Sequence, residues 1–437
     1  MREMKESNIQ WLGKIPQNWN LIKGKYLFAL RTTRGNHKRL KLLSPTQQYG
    51  VISQDEYEKL SGMKAVKLKQ DTDLSSLRTI HKGDYCISLR SFQGGFEYCN
   101  QEGVVSPAYQ VFYPTVPISH AYYRLLFKND GFIAEMNSFT MSLRDGKNIA
   151  FKDFGDSLIP YPNLQEQQAI ADYLDAKCAD IDALQQDLQA EIETLQAYKK
   201  SLITRAVTQG LDPNVEMKDS GVEWIGKIPK NWKVVRLEFV SYIRSRLGWK
   251  GLKADEYVDE GYAFISAFNI QNGQLVWAPL NYITKERYDE SPEIKIHKGD
   301  VLIVKDGAGV GKSARVDDLP YGETAPNSSI SVITPYEQLE YRYLAYYFQS
   351  AVFNNLVLKL LNGMGVPHLT QSILKNIKIC LPPINQQTKI STELDSQCAR
   401  IDSITADKQK QLQLLSDYKK SLIYEVVTGK KEVPVHE

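Results

Sequence analysis

The chain has 437 residues, 42% of them apolar and 24% charged, with a net charge of only +3. That length exceeds what one hydrophobic core fills, and the composition is that of ordinary globular protein, which excludes a disordered, fibrous or uniformly polycationic chain. No apolar run approaches the roughly 18 residues of a membrane helix, "MREMKESNIQ" lacks the apolar core of a signal peptide, and five cysteines without a C-x-x-C pair argue against a disulfide framework or zinc cluster, so a cytoplasmic protein with reduced thiols and no membrane contact is expected.

The first element is the string "WLGKIPQNW" from Trp11 to Trp19, which returns as "WIGKIPKNW" from Trp224 to Trp232. Four of the six tryptophans lie in these two strings. Pro16 and Pro229 fix φ and stop any helix there, and the paired indoles are suited to capping the edge of a core. After each string comes a basic stretch. Lys23, Lys25, Arg31, Arg34, Lys38, Arg39 and Lys41 stand without an acidic neighbour, and Lys233, Arg236, Arg244, Arg246, Lys250 and Lys253 stand against Glu238 alone. Cations clustered in this way attract phosphates.

Short alternating runs such as "DYCISLR" and "YAFISAFNI" read as strands, and "IHKGD" occurs both at Ile80 and at Ile296. The segments "HAYYRLLFKNDGFIAEMNSF" and "LEYRYLAYYFQSAVFNNLVLKLL" each read as an aromatic-rich helix on a sheet. From Leu164 to about Val207 no Gly or Pro interrupts the chain, Asn163 offers an N-cap, and Gly210 with Pro213 closes the run. Leu174, Ile181, Leu188, Leu195 and Leu202 recur every seven residues, and Leu184, Ile192 and Tyr198 fill the shorter steps of an amphipathic seam. A second copy runs from about Asn385 to Val427, with Leu394, Ile401, Leu415 and Leu422 in register and Lys408 interrupting it.

A run of about 43 helical residues spans on the order of 65 Å, more than one globule needs for its own core. The cheapest partner for each helix is its own repeat, packed antiparallel, so that one chain imitates a homodimer. The expected fold is α+β: two globular domains related by internal duplication, separated by an antiparallel coiled coil of two long helices. The boundaries are 1–162, 163–209, 210–383 and 384–428, with a tail over 429–437.

No catalytic site stands out. "KDGAGVGKS" from Lys305 resembles a phosphate-binding loop, but the first required glycine is replaced by Asp306, and the equivalent "LRSFQGGFE" shares only a glycine-rich turn. The lone Pro-Pro, "LPPI" from Leu381, lacks the leading amide and the aromatic of an adenine methyltransferase. "EIK" at Glu293 is a chance-level nuclease triplet, and no H-x-x-x-H pair offers zinc ligands.

The two opening strings, the closing motifs "IPYPNLQEQQAI" and "CLPPINQQTKI", and helices that each end in "YKKSLI" resemble the specificity subunit of a bacterial type I restriction-modification enzyme over essentially the whole chain. The resemblance implies that each globule is a target recognition domain reading half of a split site in double-stranded DNA, and that the paired helices set the gap. It also implies that two methyltransferase subunits dock on the helices and that the restriction and translocase subunits join that core. No cofactor is then expected in this chain, S-adenosylmethionine, ATP and Mg2+ belonging to the partner subunits. A coiled-coil scaffold whose globules bind proteins is the competing reading.

Direct readout uses Arg or Lys on guanine and Asn or Gln on adenine. The candidates are Arg31, Arg34, Lys38, Arg39, Arg90, Gln93, Arg144 and Lys147 in the first half, and Arg244, Arg246, Lys250, Lys305, Lys312, Arg315, Asn327 and His368 in the second. "MSLRDGKNIAFKDF" and "NGMGVPHLTQSILKN" read as equivalent loops followed by a short helix. Tyr198, Lys199, Lys200, Tyr418, Lys419 and Lys420 are either ordinary seam and surface or the docking points for the methyltransferase. Equivalent use in both halves favours docking, since two identical partners need two identical sites.

Overall fold

A computed structural model describes residues 2–34, 40–63, 74–88, 95–139, 149–246, 252, 254–307, 309–361 and 368–434. The chain divides into two compact units, residues 1–188 with 410–437 and residues 189–409. Each unit therefore takes its globule from one repeat and part of its helical material from the other.

In the first unit a hairpin pairs Met4–Glu6 with Lys14–Pro16, and Asn20–Lys23 pairs with Leu158–Tyr161, the strand just before the first long helix. The central sheet is antiparallel and ordered Phe28–Leu30, Gln110–Pro114, Tyr85–Ile87, Phe96–Tyr98. In the second unit the same roles fall to Met217–Asp219 with Lys227–Pro229, and to Lys233–Arg236 with Lys378–Leu381. The sheet there is Ser241–Arg244, Ile330–Pro335, Val301–Val304, Ser313–Arg315. The duplication thus extends into "EMKES" and "EMKDS", one hairpin strand upstream of the strings that reveal it.

Outside that shared frame the units differ. The first carries the small pairs Leu43–Thr46 with Gly50–Ser53 and Arg78–Ile80 with Gly103–Val105. The second carries Tyr262–Ile265 between antiparallel Asn281–Ile283 and parallel Thr324–Pro326. Each aromatic-rich segment is two helices rather than one: His120–Phe127 and Asp130–Ser138, then Tyr341–Gln349 and Ala351–Leu361. Side-chain caps make the break. Asn129 Oδ1 accepts the Gly131 N–H at 2.9 Å, and Ser350 Oγ accepts the Phe353 N–H at 3.3 Å, so each new helix starts where its predecessor's backbone groups run out.

The first core is aromatic, with Phe28, Tyr85, Phe112, Phe127 and Phe154 meeting at centroid separations of 5.0 to 6.2 Å. One glutamate is buried on the other face of the same sheet, away from these rings. Glu97 lies opposite Cys86 in the sheet and is 2% exposed, with Lys128 Nζ 2.5 Å from one oxygen and, among the described residues, no partner for the other. Burial pushes its carboxyl up to about 7 against the pull of the Lys128 ammonium. Because the folded value lies above the unfolded one, the group's stabilisation is complete below about 4.5 and is lost as pH rises through about 7. Glu97→Gln, which cannot ionise, is expected to gain about 2–3 kcal/mol on the parent protein between pH 5 and pH 8, read by denaturation at the two pH values.

The long helices are Leu164–Gln209 and Ile384–Val427, of 46 and 44 residues. In the first unit Asp182 pairs with Lys419. In the second unit Lys199 Nζ contacts both oxygens of Asp402 at 2.7 Å and Glu191 pairs with Lys408, so numbering falls on one helix as it rises on the other and the two run antiparallel. Asp182 and Asp402 are equivalent in the repeat, as are Lys199 and Lys419, so each unit contains the same ion pair with the helices exchanged. The apolar seam follows Leu174, Ile181, Ile192 and Leu202 on the first helix and Leu394, Cys398, Ile401 and Leu422 on the second.

Two expected seam residues are not in it. Leu184 and Tyr198 are 53% and 54% exposed, and the half-buried positions beside them are Gln185 and Lys199. A heptad admits a step of three or four, and the coil takes four after Ile181 and after Leu195. Lys408 does hold a seam position, half-buried and neutralised by Glu191.

The repeated tryptophan strings seat the ends of these helices. Trp19 and Trp232 are buried, and in the first unit Gly429 lies against Pro16 and Trp19, while in the second Gly210 lies against Trp232. Both glycines cap a long helix with positive φ, and a Cβ on Gly429 would stand 2.5 Å from Pro16 Cγ. Two tyrosines complete the seat: Tyr122 Oη donates to Val427 O at 2.8 Å and Tyr343 Oη to Val207 O at 3.0 Å, so each globule closes on the terminus of the other repeat's helix.

Candidate nucleic-acid interface

The "KDGAGVGKS" string is the turn of an antiparallel hairpin joining Val301–Val304 to Ser313–Arg315. The Gly311 N–H donates to Val304 O at 2.9 Å and the Val304 N–H to Lys312 O at 2.8 Å, so the chain turns back into a strand. A phosphate loop opens a helix whose N-terminus faces the anion, and this one does not. Lys312 is exposed at the end of the turn. Lys305 is half-buried at its start, and burial holds its ammonium below the usual lysine range.

Two further candidates gather at the same turn. The Lys305 N–H donates to Ser329 O at 2.7 Å, and Lys305 O accepts from the Leu369 N–H at 2.9 Å. Asn327 accepts from the backbone and hydroxyl of Ser329 at 3.1 and 2.5 Å, and the His368 ring pairs with Asp306. Lys305, Lys312, Asn327 and His368 are therefore one cluster, although 63 sequence positions separate the first from the last. The equivalent turn of the first unit, with Arg90 and Gln93, lies outside the described residues, as do Lys38, Arg39, Arg144, Lys147 and Lys250. Arg34 is described and exposed, bridged to Arg78.

The remaining arginines are spent on the protein. Arg244 is 8% exposed; its Nη2 donates to Asp300 at 2.8 Å and Thr334 at 2.7 Å, and its Nη1 donates to Lys295 O at 3.0 Å. At the equivalent position Arg31 forks onto Asp84, Nε and Nη2 donating at 2.6 and 2.9 Å, and lies over the Tyr113 ring. Asp84 and Asp300 are the aspartates of the two "IHKGD" strings, and each also accepts the histidine N–H of its own string, at 2.9 and 2.7 Å. The repeated motif is thus an arginine holder, and burial removes Arg244 from the set of base-reading side chains. Arg246 is enclosed near Glu290, and Arg315 is bound by Asp317 and Asp395.

On the helices, Tyr198 and Tyr418 are both about half exposed and Lys200 and Lys420 are exposed, whereas Lys199 and Lys419 are the cations of the exchanged ion pairs. Residue-by-residue reading missed two further matched positions. Leu164 and Ile384 are exposed, as are Leu184 and Ile404, and both pairs differ by the 220 residues of the repeat. The register that sets Asp182 against Lys419 brings Leu184 level with Tyr418, and that of Lys199 with Asp402 brings Tyr198 level with Ile404. Each unit thereby presents an aliphatic side chain and a tyrosine, one from each helix.

Comparison with known proteins bears on both globules. A family model described as the type I restriction modification DNA specificity domain matches residues 16–194 and again 229–414. The chain belongs to this family. Among curated relatives, the MjaVIII specificity subunit of Methanocaldococcus jannaschii is 27% identical over 302 residues, 68% of each chain. The EcoKI specificity subunit of Escherichia coli K12 is 27% identical over 209 residues, 47% of this chain and 44% of that one. Among solved structures, a chain from a study of complex assembly and conformational transition of the type I R-M system aligns with a TM-score of 0.72 at 15% identity, over 95% of this chain and 99% of that one. The HsdS subunit from Thermoanaerobacter tengcongensis aligns at 0.53 and 16% identity, over 95% and 98%. No helix among the described residues is long and apolar enough to cross a membrane.

Proposed function

We propose that this specificity chain reads a bipartite, asymmetric site in double-stranded DNA, each globule contacting one half, as a subunit of a type I restriction-modification complex. The observation that carries the reading is the specificity-domain match to both copies of one duplicated architecture. In the second globule the turn with Lys305, Lys312, Asn327 and His368 supplies the cations and the amide that base and phosphate contacts require. The matched exposed pairs Leu184 with Tyr418 and Tyr198 with Ile404 suit two copies of one partner, and we assign them, with Lys200 and Lys420, to the two methyltransferase subunits. The restriction and translocase subunits join that assembly, and the paired helices set the gap between half-sites. Methyl transfer, and the S-adenosylmethionine, ATP and Mg2+ it and translocation need, belong to the partners, and this chain is non-catalytic. The family match on both globules speaks against a scaffold whose globules bind proteins.

The test is methylation of a random-sequence DNA pool by the chain with its methyltransferase partner. One interrupted motif of two fixed half-sequences is expected, with occupancy falling as salt rises. Equal methylation of all sequences would overturn the reading.

A further inference from the structure

Among the described residues, the second globule has a connection that the first lacks. Arg315 ends the strand that leaves the Lys305–Lys312 turn, and its Nη1 donates to Asp395 Oδ1 at 2.5 Å while its Nε donates to Asp317 at 2.8 Å. Asp395 belongs to the second long helix, one residue beyond the seam position Leu394, and accepts two more donors: Arg342 Nη1 at 2.9 Å and the Tyr346 hydroxyl at 2.7 Å. Arg342 is held in turn by Glu340 at 2.7 Å, and Glu340 caps its helix on the Tyr343 N–H and accepts from Ser391 Oγ on the long helix at 2.6 Å. One carboxylate therefore joins the strand that leaves the turn, the aromatic helix and the long helix through charge-assisted bonds in a partly buried setting, where such bonds fix geometry.

The first unit is built differently at the same places. Asp175, equivalent to Asp395, meets Arg124 at 2.8 Å with both side chains about half exposed, a contact of little energetic weight. The sheet register puts Tyr98 where the second unit has Arg315, and Tyr98 packs against Tyr85 and His120. Among the described residues, a charged strut from the outer hairpin strand to a long helix is therefore a property of the second unit.

We infer that Asp395 is a positioning residue for DNA recognition: it sets the Lys305–Lys312 turn from the long helix, so the fidelity of the second half-site is governed from the helix and that of the first is not. This rests on the proposed reading that the turn faces DNA. The test uses the complete methyltransferase complex on DNA pools in which one half-site at a time is randomised. Asp395→Asn, which keeps size and removes the charge, is expected to reduce discrimination at the second half-site about tenfold, the loss that follows from weakening charge-assisted bonds, with the first unchanged. Asp395→Glu is expected to restore part of it, and Asp175→Asn to alter neither half.

Lys312→Ala separates the two ideas. If it shifts the second half-site while Asp395→Asn does not, the strut is inert and the inference is wrong. If neither variant shifts it, the assignment of the turn to DNA fails first. Equal loss at both half-sites in Asp395→Asn would reduce the residue to ordinary structural support and also overturn the inference. Tyr346→Phe, which removes one donor and no charge, gives the same comparison should Asp395→Asn assemble poorly: a selective effect on the second half-site supports the strut, and none refutes it.

Discussion

Replacing Arg244 by alanine is expected to destabilise the second unit by about 3–5 kcal/mol, the cost of leaving a buried charge without its partner. Asp300 is fully buried and, among the described residues, would keep the His297 N–H and the Thr334 hydroxyl as its hydrogen-bond donors, with the His297 ring 3.7 Å away. The carbonyl of Lys295 would also lose its donor. Arg244→Lys should recover little, because a single ammonium cannot reach Asp300, Thr334 and Lys295 together. Thermal unfolding reads the loss, and methylation by whatever protein remains folded should keep its half-sequences. Arg31→Ala is the milder case, since Arg31 is partly exposed and Asp84 holds it from one side only. A variant of Arg244 with normal stability and altered half-sequence would return this residue to the reading surface.

Arg244 also marks the limit of what the sequence discloses. The duplication is legible because its landmarks are local strings of Trp, Gly and Pro, whose geometry is nearly context-free. The long helices are legible because seven-residue spacing needs only the chain itself. The role of an arginine is set by what folds beside it, and the partners of Arg31 and Arg244 lie 53 and 56 residues away. A basic stretch therefore reads as phosphate-seeking when two of its members are internal struts. Aligning the repeats carries the missing signal: Arg31 with Asp84 and Arg244 with Asp300 recur together, which a shared fold demands and two different half-sites do not.

The helix seam fails to read out for a related reason. From Ile181 the next inward position is either three or four residues on, and hydrophobicity alone selects Leu184 over Gln185. In the fold the inward positions go to Gln185 and Lys199, the ion pairs Asp182 with Lys419 and Lys199 with Asp402 accompany that rotation, and Leu184, Ile404, Tyr198 and Tyr418 stay outside. An isolated coiled coil would gain by burying them. Their matched exposure makes sense when another surface covers them, which ties an imperfect seam to assembly.

Gln387→Ala is expected to cost the second unit about 3–5 kcal/mol, although it removes a single neutral side chain. Gln387 is fully buried at the start of the second long helix; its Nε2 donates to Pro382 O at 2.8 Å and Gln338 O at 2.9 Å, and its Oε1 accepts the Glu340 N–H at 2.8 Å. Three backbone groups in the joint between strand, globule helix and long helix would lose their partner at once. Gln167 is the equivalent residue of the first unit and is as buried, but it makes two of these bonds, to Pro162 O at 2.9 Å and from the Ser119 N–H at 2.8 Å, so Gln167→Ala should cost less. Gln387→Glu discriminates this clamp from simple packing. The shape is kept, but an ionised carboxylate would face two carbonyl oxygens, so its folded-state pKa would rise and stability would be lost as pH increases. Unfolding measured at pH 5 and pH 8 should show Gln387→Glu nearer the parent at the lower value and Gln387→Ala equally weakened at both; a glutamate variant insensitive to pH would mean the amide is not the clamp.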